Sequence, residues 1–109
     1  MIIGTWQETE AIYTEKVNGE TTDTYSLIEP GETITLTFNM DNTYKTVSED
    51  GTYEDTGTWS ITDYKLTIFE DDFGMTFDIE KLDKKNLTIV YNEEFSYGNV
   101  SIVIKMKRI

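Results

Sequence analysis

Nearly every side chain in this sequence that could do chemistry is a carboxylate. There are 21 Asp and Glu against 9 Lys and Arg, with no His and no Cys. The usual triads, imidazole bases, thiol nucleophiles and soft-metal sites are therefore missing. What remains is carboxylate chemistry, either acid–base work on a glycoside or hard-oxygen ligation of calcium. The first needs two carboxyls at a defined separation across a cleft, and so acidic a surface produces close pairs by chance. For the second, Asp41-x-Thr43, Asp50-Gly51 and Glu70-Asp71-Asp72 are candidates. None matches the EF-hand loop, so they read better as solvated acidic turns. No Gly-rich phosphate cradle follows a strand. The expectation is a protein that is not an enzyme, with neither cofactor nor metal.

Charge narrows the partners further. A formal net charge of −12 repels nucleic-acid phosphate and anionic headgroups, so no nucleic-acid partner is expected. The 109 residues suit one domain, residues 1–109, with a single core. No apolar run approaches the ~18 residues of a spanning helix, so no transmembrane segment is expected. The missing cysteines leave the compartment open.

The elements that must position any site are strands. In Thr56 to Phe69, Trp59 and Ile61 share one face while Thr58, Ser60 and Thr62 take the other. After Asp63-Tyr64 the alternation resumes at Leu66 and Ile68, which predicts two strands folded on each other. Asn18-Gly19 predicts a type I′ hairpin turn between a strand over residues 3–17 and a returning strand over 20–39. The returning strand is interrupted at Glu29-Pro30-Gly31, where Pro lacks a ladder donor. Beyond it Ile34, Leu36, Phe38 and Met40 face one way, with Thr33, Thr35 and Thr37 opposite.

The remaining rows are Met75, Phe77 and Ile79; Leu87, Ile89 and Tyr91; and Val100, Ile102, Ile104 and Met106. Tight turns are predicted at 40–42, 63–64 and 83–86, with longer loops at 48–56, 70–74 and 92–99. Residues 93–97 could make one helical turn. The first strand has an ambiguous phase. Unbroken alternation puts Trp6, Glu8, Glu10 and Ile12 on one face. A bulge near Gln7-Glu8 instead aligns Trp6 with Thr9, Ala11 and Tyr13. The bulge is preferred, because two unpaired carboxylates in a small core are very costly.

About eight one-faced strands joined up-and-down bury their apolar faces by closing into a small antiparallel barrel, an all-β fold. In an even-stranded meander the start of the first strand lies beside the end of the last. Trp6 then neighbours Arg108, which shares the phase of Met106 and points inward. An indole face offers that cation about 0.5–2 kcal/mol. The alternative is a frayed terminal Arg in solvent.

The chain resembles the lipocalin-like domains of the calycin group, especially short ones of Bacteroides-type envelope lipoproteins. The matching stretches are I-I-G-T-W-Q at 2–7, T-F-x-x-D-x-T-Y at 37–44, G-T-W-S-I at 57–61 with K-L-T-I at 65–68, and Arg108. The resemblance implies that Gly4, Trp6 and Arg108 form the barrel's closed end. It also implies a periplasmic or otherwise extracytoplasmic setting, with any outer-membrane anchor resting on a leader absent from this sequence. The chain is shorter than a typical lipocalin and lacks the lipocalin C-terminal helix and a lipobox Cys.

Two functions follow. The leading one is a binding module for a small apolar or amphipathic molecule at the open end. Phe38, Tyr44, Tyr53, Phe73, Phe77, Tyr91, Phe95 and Tyr97 are the candidate contacts. The other is a filled barrel that meets a protein partner. A void below ~300 Å³ would favour the second. Oligomeric state is not readable from these residues.

Overall fold

Asp63 and Tyr64 take left-handed backbone angles (φ 52° and 61°), the pair a type I′ turn requires. They fold β5 (Glu54–Thr62) back onto β6 (Lys65–Glu70). Trp59 stands opposite Ile68 and Ile61 opposite Leu66. A computed structural model describes residues 2–27, 34–48, 51–70 and 73–109. Its other strands are β1 (Gly4–Val17), β2 (Glu20–Ser26), β3 (Ile34–Phe38), β4 (Thr43–Ser48), β7 (Phe73–Leu82), β8 (Asn86–Phe95) and β9 (Gly98–Arg108). No helix occurs among the described residues.

Every neighbouring pair of strands is antiparallel, and β1 also pairs with β9, which closes the sheet. The ring is an eight-stranded barrel with one extra strand. β3 pairs with Gly4–Gln7 of β1, while β2 pairs with Ile12–Val17 along the same edge. The predicted single returning strand is thus two strands laid end to end. The break at Glu29-Pro30-Gly31, and Thr33, lie outside the described residues. Asn18 and Gly19 carry the positive φ expected of their turn (53° and 84°).

Apolar rows fill the closed-end half. Trp6, Phe38, Leu66, Leu87, Ile89 and Met106 are almost wholly buried, and Ile2 and Tyr44 pack with them. The Trp6 indole donates to the Ile2 carbonyl at 2.8 Å, so its one polar atom is satisfied in the core.

Several sequence expectations need correction. Met40 sits on the turn and is exposed, because β3 ends at Phe38. Ile61 is 38% exposed. β4 pairs with β5 only as far as Thr58, so Ile61 projects past its neighbour. The loops are shorter than expected. Glu54–Thr56 belong to β5, Glu70 pairs with Phe73, and Phe95 pairs with Gly98. The predicted loop over 92–99, with its helical turn, is a strand pair around Ser96-Tyr97. Tyr91, Glu93 and Phe95 do alternate there, but both faces are largely open to solvent, so polarity hides the period.

The bulge in β1 also sits later than expected. The ladder to β9 slips between Glu8 and Glu10, leaving Thr9 outside the register. Glu8 consequently stands opposite buried Met106, in phase with Trp6. Thr9, expected inside, is exposed, whereas Ala11 is buried. Only Glu10 returns to solvent, 3.7 Å from Lys105.

Candidate functional site

Above the filled half the barrel holds a cavity of about 210 Å³. Its floor is the top of the core, with Leu36, Tyr44, Phe77 and Ile89. Ile68, Met75, Ile104 and Thr46 make its walls. Toward the open end it is bounded by Glu70 and Phe73, the paired residues where β6 meets β7. Glu8 contributes a second carboxylate from β1.

Local sequence places these groups. Tyr44 is paired with Gly57, and a Cβ on Gly57 would come within 2.6 Å of the Tyr44 ring. Only glycine leaves the ring that space. So seated, the Tyr44 hydroxyl donates to the Glu70 carboxylate. Glu8 faces the cavity because the β1 bulge falls after it rather than before it.

Of the candidate contacts, Tyr44, Phe73 and Phe77 line the cavity. Phe38 is packed beneath, 5.8 Å from the Trp59 ring centre and 6.3 Å from that of Tyr44. Tyr91 meets the cavity only through Phe77, edge-on at 6.0 Å. Tyr53, Phe95 and Tyr97 stand exposed outside it. Phe95 and Tyr97 stack on each other at 5.4 Å. Of the acidic calcium candidates, Asp50, Asp71 and Asp72 lie outside the described residues.

The phenols near the rim are held neutral. A hydrogen bond to Glu93 raises the Tyr91 pKa above its ordinary value. Desolvation, then Asp55, raises that of Tyr53. Both act as donors. Asp41 is spent on its turn, accepting from the Thr43 amide at 3.1 Å and hydroxyl at 2.6 Å. Among the described residues no three acidic side chains gather as a metal site would need.

At the closed end Arg108 lies over Trp6, its guanidinium carbon 4.2 Å from the ring centre. It donates to the carbonyls of Ile3 at 2.8 Å and Lys84 at 2.9 Å. Gly4 has φ 136°, and a Cβ there would strike Arg108.

Glu8, Thr46 and Glu70 are the cavity residues that sequence reasoning missed. Glu8 was placed in solvent by the preferred bulge, and Glu70 in a loop. Unbroken alternation from Trp6 to Glu8, which the ladder to β9 keeps, was the available signal for Glu8. No helix among the described residues is long and apolar enough to cross a membrane.

No curated protein and no solved structure gives a match to the chain. A family model described as "Lipocalin-like domain" matches residues 2–89, which spans β1 through the start of β8. With its closed eight-stranded ring and one added strand, the chain belongs to the lipocalin-like domain family.

Proposed function

We propose that this domain is a non-enzymatic binding module whose barrel takes a compact apolar or amphipathic molecule from the open end. The observation that carries the reading is the cavity of about 210 Å³, walled by aliphatic and aromatic side chains. A dry apolar cavity of about 150 Å³ already admits benzene, while drug-sized ligands need about 300 Å³ or more. The ligand in this reading has a single ring or a short branched chain. A long acyl chain does not fit within it. The extracytoplasmic setting rests on the resemblance to envelope lipoprotein domains and belongs to the same proposal.

Native mass spectrometry after gentle purification, with small apolar compounds added, tests this. Uptake is expected, and Ile68→Phe, which fills the wall, should abolish it. An empty barrel with no uptake would overturn the reading.

The small volume also favours a second reading, a module that meets a protein partner. Its supporting surface is the exposed Phe95–Tyr97 stack at the tip of β8 and β9. A partner whose binding survives Ile68→Phe would favour this reading.

A further inference from the structure

Charge is unevenly spread over the barrel. Residues 80–86 and 105–108 hold six of the nine basic side chains and only two of the 21 acidic ones, in a chain of net charge −12. These runs are the β7–β8 turn with its flanking strand residues and the closed end of β9. There Lys81, Lys105 and Lys107 line a groove of about 470 Å³. It lies on the outer wall, since Leu87, Ile89 and Met106 beside it in sequence are core residues.

The outer wall of a barrel is convex, so a groove on it needs a local cause. Two bulges supply one. β1 slips against β9 at Thr9 and β7 slips against β8 at Glu80, and both residues line the groove. A bulge bends its strand and re-aims side chains, and bulges are over-represented beside active sites. Between them Thr88 forms the floor. It alternates with inward Leu87 and Ile89, yet is only 9% exposed. Its cross-strand neighbours are Lys81 on one side and Lys105 on the other, whose long stems can cover it. Adjacent strands run about 4.8 Å apart, which sets the Lys81 and Lys105 backbones about 10 Å from each other, and Lys107 follows on the same face about 7 Å along. Flexible four-carbon stems bring three ammonium groups from these positions onto one anion. Lys105 lies 3.7 Å from Glu10 and Lys81 4.0 Å from Asp83, but exposed pairs of this kind are weak.

We infer that the groove binds a small phosphate monoester of a sugar or polyol. The phosphate sits over Thr88, met by Lys81, Lys105 and Lys107, and the hydroxyls of the body reach Glu80. A phosphate monoester offers three terminal oxygens to three ammonium donors where a carboxylate offers two, and charge-assisted bonds are about twice as strong as neutral ones. A groove of about 470 Å³ has the size of a small-molecule site and leaves room for a body beyond the phosphate. This site is separate from the inner cavity and does not depend on the binding-module reading.

Titration calorimetry at neutral pH with glucose-6-phosphate, glucose, glucuronate and inorganic phosphate tests it. The net charge of −12 repels any anion at long range, so a preference for the ester over glucose comes from local groups. The ester should bind at least about tenfold tighter than glucose, and tighter than glucuronate or inorganic phosphate. Lys81→Gln, Lys105→Gln and Lys107→Gln should each weaken it, and the triple variant should lose the preference while keeping its cooperative unfolding. Lys45→Gln makes the same charge change outside the groove and should leave ester binding unchanged, as should Ile68→Phe in the inner cavity. Phosphatidylcholine vesicles carrying phosphatidylinositol-4-phosphate present the same chemistry on a lipid; vesicle binding that needs the three lysines, without binding of the soluble ester, would assign the phosphate to a headgroup. A preference that survives the triple variant, or an equal loss in Lys45→Gln, overturns the inference. Glucuronate or inorganic phosphate binding as tightly as the ester overturns the assignment of a phosphate monoester, and binding of neither the ester nor the vesicles overturns the site.

Discussion

Trp6 and Arg108 sit directly opposite each other in the ladder of β1 and β9, with the guanidinium carbon 4.2 Å above the indole centre. One pair therefore joins nearly the first and last strand residues, and apart from the β1–β3 ladder the rest of the ring it seals is a meander of local hairpins. The indole is fully buried and bonded to Ile2. Trp6→Ala should cost about 3–5 kcal/mol, by loss of apolar contact and the cavity left behind. Chemical denaturation reads it; a loss under about 1 kcal/mol would make Trp6 peripheral. Arg108→Met keeps the stem but loses the cation–π contact, about 0.5–2 kcal/mol, together with the hydrogen bonds to the Ile3 and Lys84 carbonyls.

Gly4 should behave as part of the same seal. Its φ of 136° suits no L side chain, and a Cβ would push against Arg108. Gly4→Ala is expected to cost about 1–3 kcal/mol. If the guanidinium is what the methyl displaces, the Arg108→Met background should recover part of that loss. Equal costs in both backgrounds would mean the strain is in the backbone alone.

The closed half of the barrel was legible in the sequence because each strand there buries one face. Leu36 with Phe38, and Leu87 with Ile89, alternate with polar neighbours, and that contrast fixes both strand and facing. Where both faces are open, as over Glu93–Phe95, the contrast vanishes and a strand looks like a loop. Glu8 failed for a different reason. Its facing depends on where β1 slips against β9, a residue pairing nearly the whole chain apart, which local periodicity does not contain. The cavity was illegible too, since its volume is a residue of how Tyr44, Ile68 and Phe77 fit together. Gly57 gave a hint only in retrospect, as the space that Tyr44 occupies.

Two exposed turn carboxyls should shape the acid limb of stability. Hydrogen bonds from the Thr43 hydroxyl and amide lower the Asp41 pKa below its ordinary 3.8. The amides of Lys85 and Asn86 do the same for Asp83. A carboxyl whose folded pKa is depressed contributes stability above its unfolded value, and loses it as pH falls through the folded one. The double variant Asp41→Asn/Asp83→Asn should therefore be less stable than the native chain at neutral pH. The gap should narrow below about pH 4 and be smallest near about pH 2. Paired denaturation curves across that range decide; a gap independent of pH would show that the carboxylate charge plays no part.

β2 should be the first strand to open. Every one of its residues is exposed, and among the described residues it pairs with β1 alone. β8, by contrast, carries buried Leu87, Thr88 and Ile89 and is held on both sides. Native-state hydrogen exchange should give the β2 amides at least about tenfold less protection than those of Leu87 and Ile89. Equal protection would mean that β2 opens only with the whole barrel.

The exposed aromatics of the rim separate the two functional readings. Phe73 lines the cavity from the β6–β7 hairpin, whereas Phe95 and Tyr97 stack at the β8–β9 tip, away from it. All three are substantially exposed, so replacing them should change stability by no more than about 0.5 kcal/mol each. If a small ligand enters the cavity, Phe73→Ser should weaken its binding by roughly tenfold, while Phe95→Ser/Tyr97→Ser should leave it nearly unchanged. If a protein meets the rim, the order reverses, because stacked aromatics at a protruding tip are the anchors an interface buries. The triple variant should lose recognition under either reading while keeping its cooperative unfolding. Unchanged binding of both a small ligand and a partner in the triple variant would remove the rim aromatics from the site and leave recognition to the inner wall.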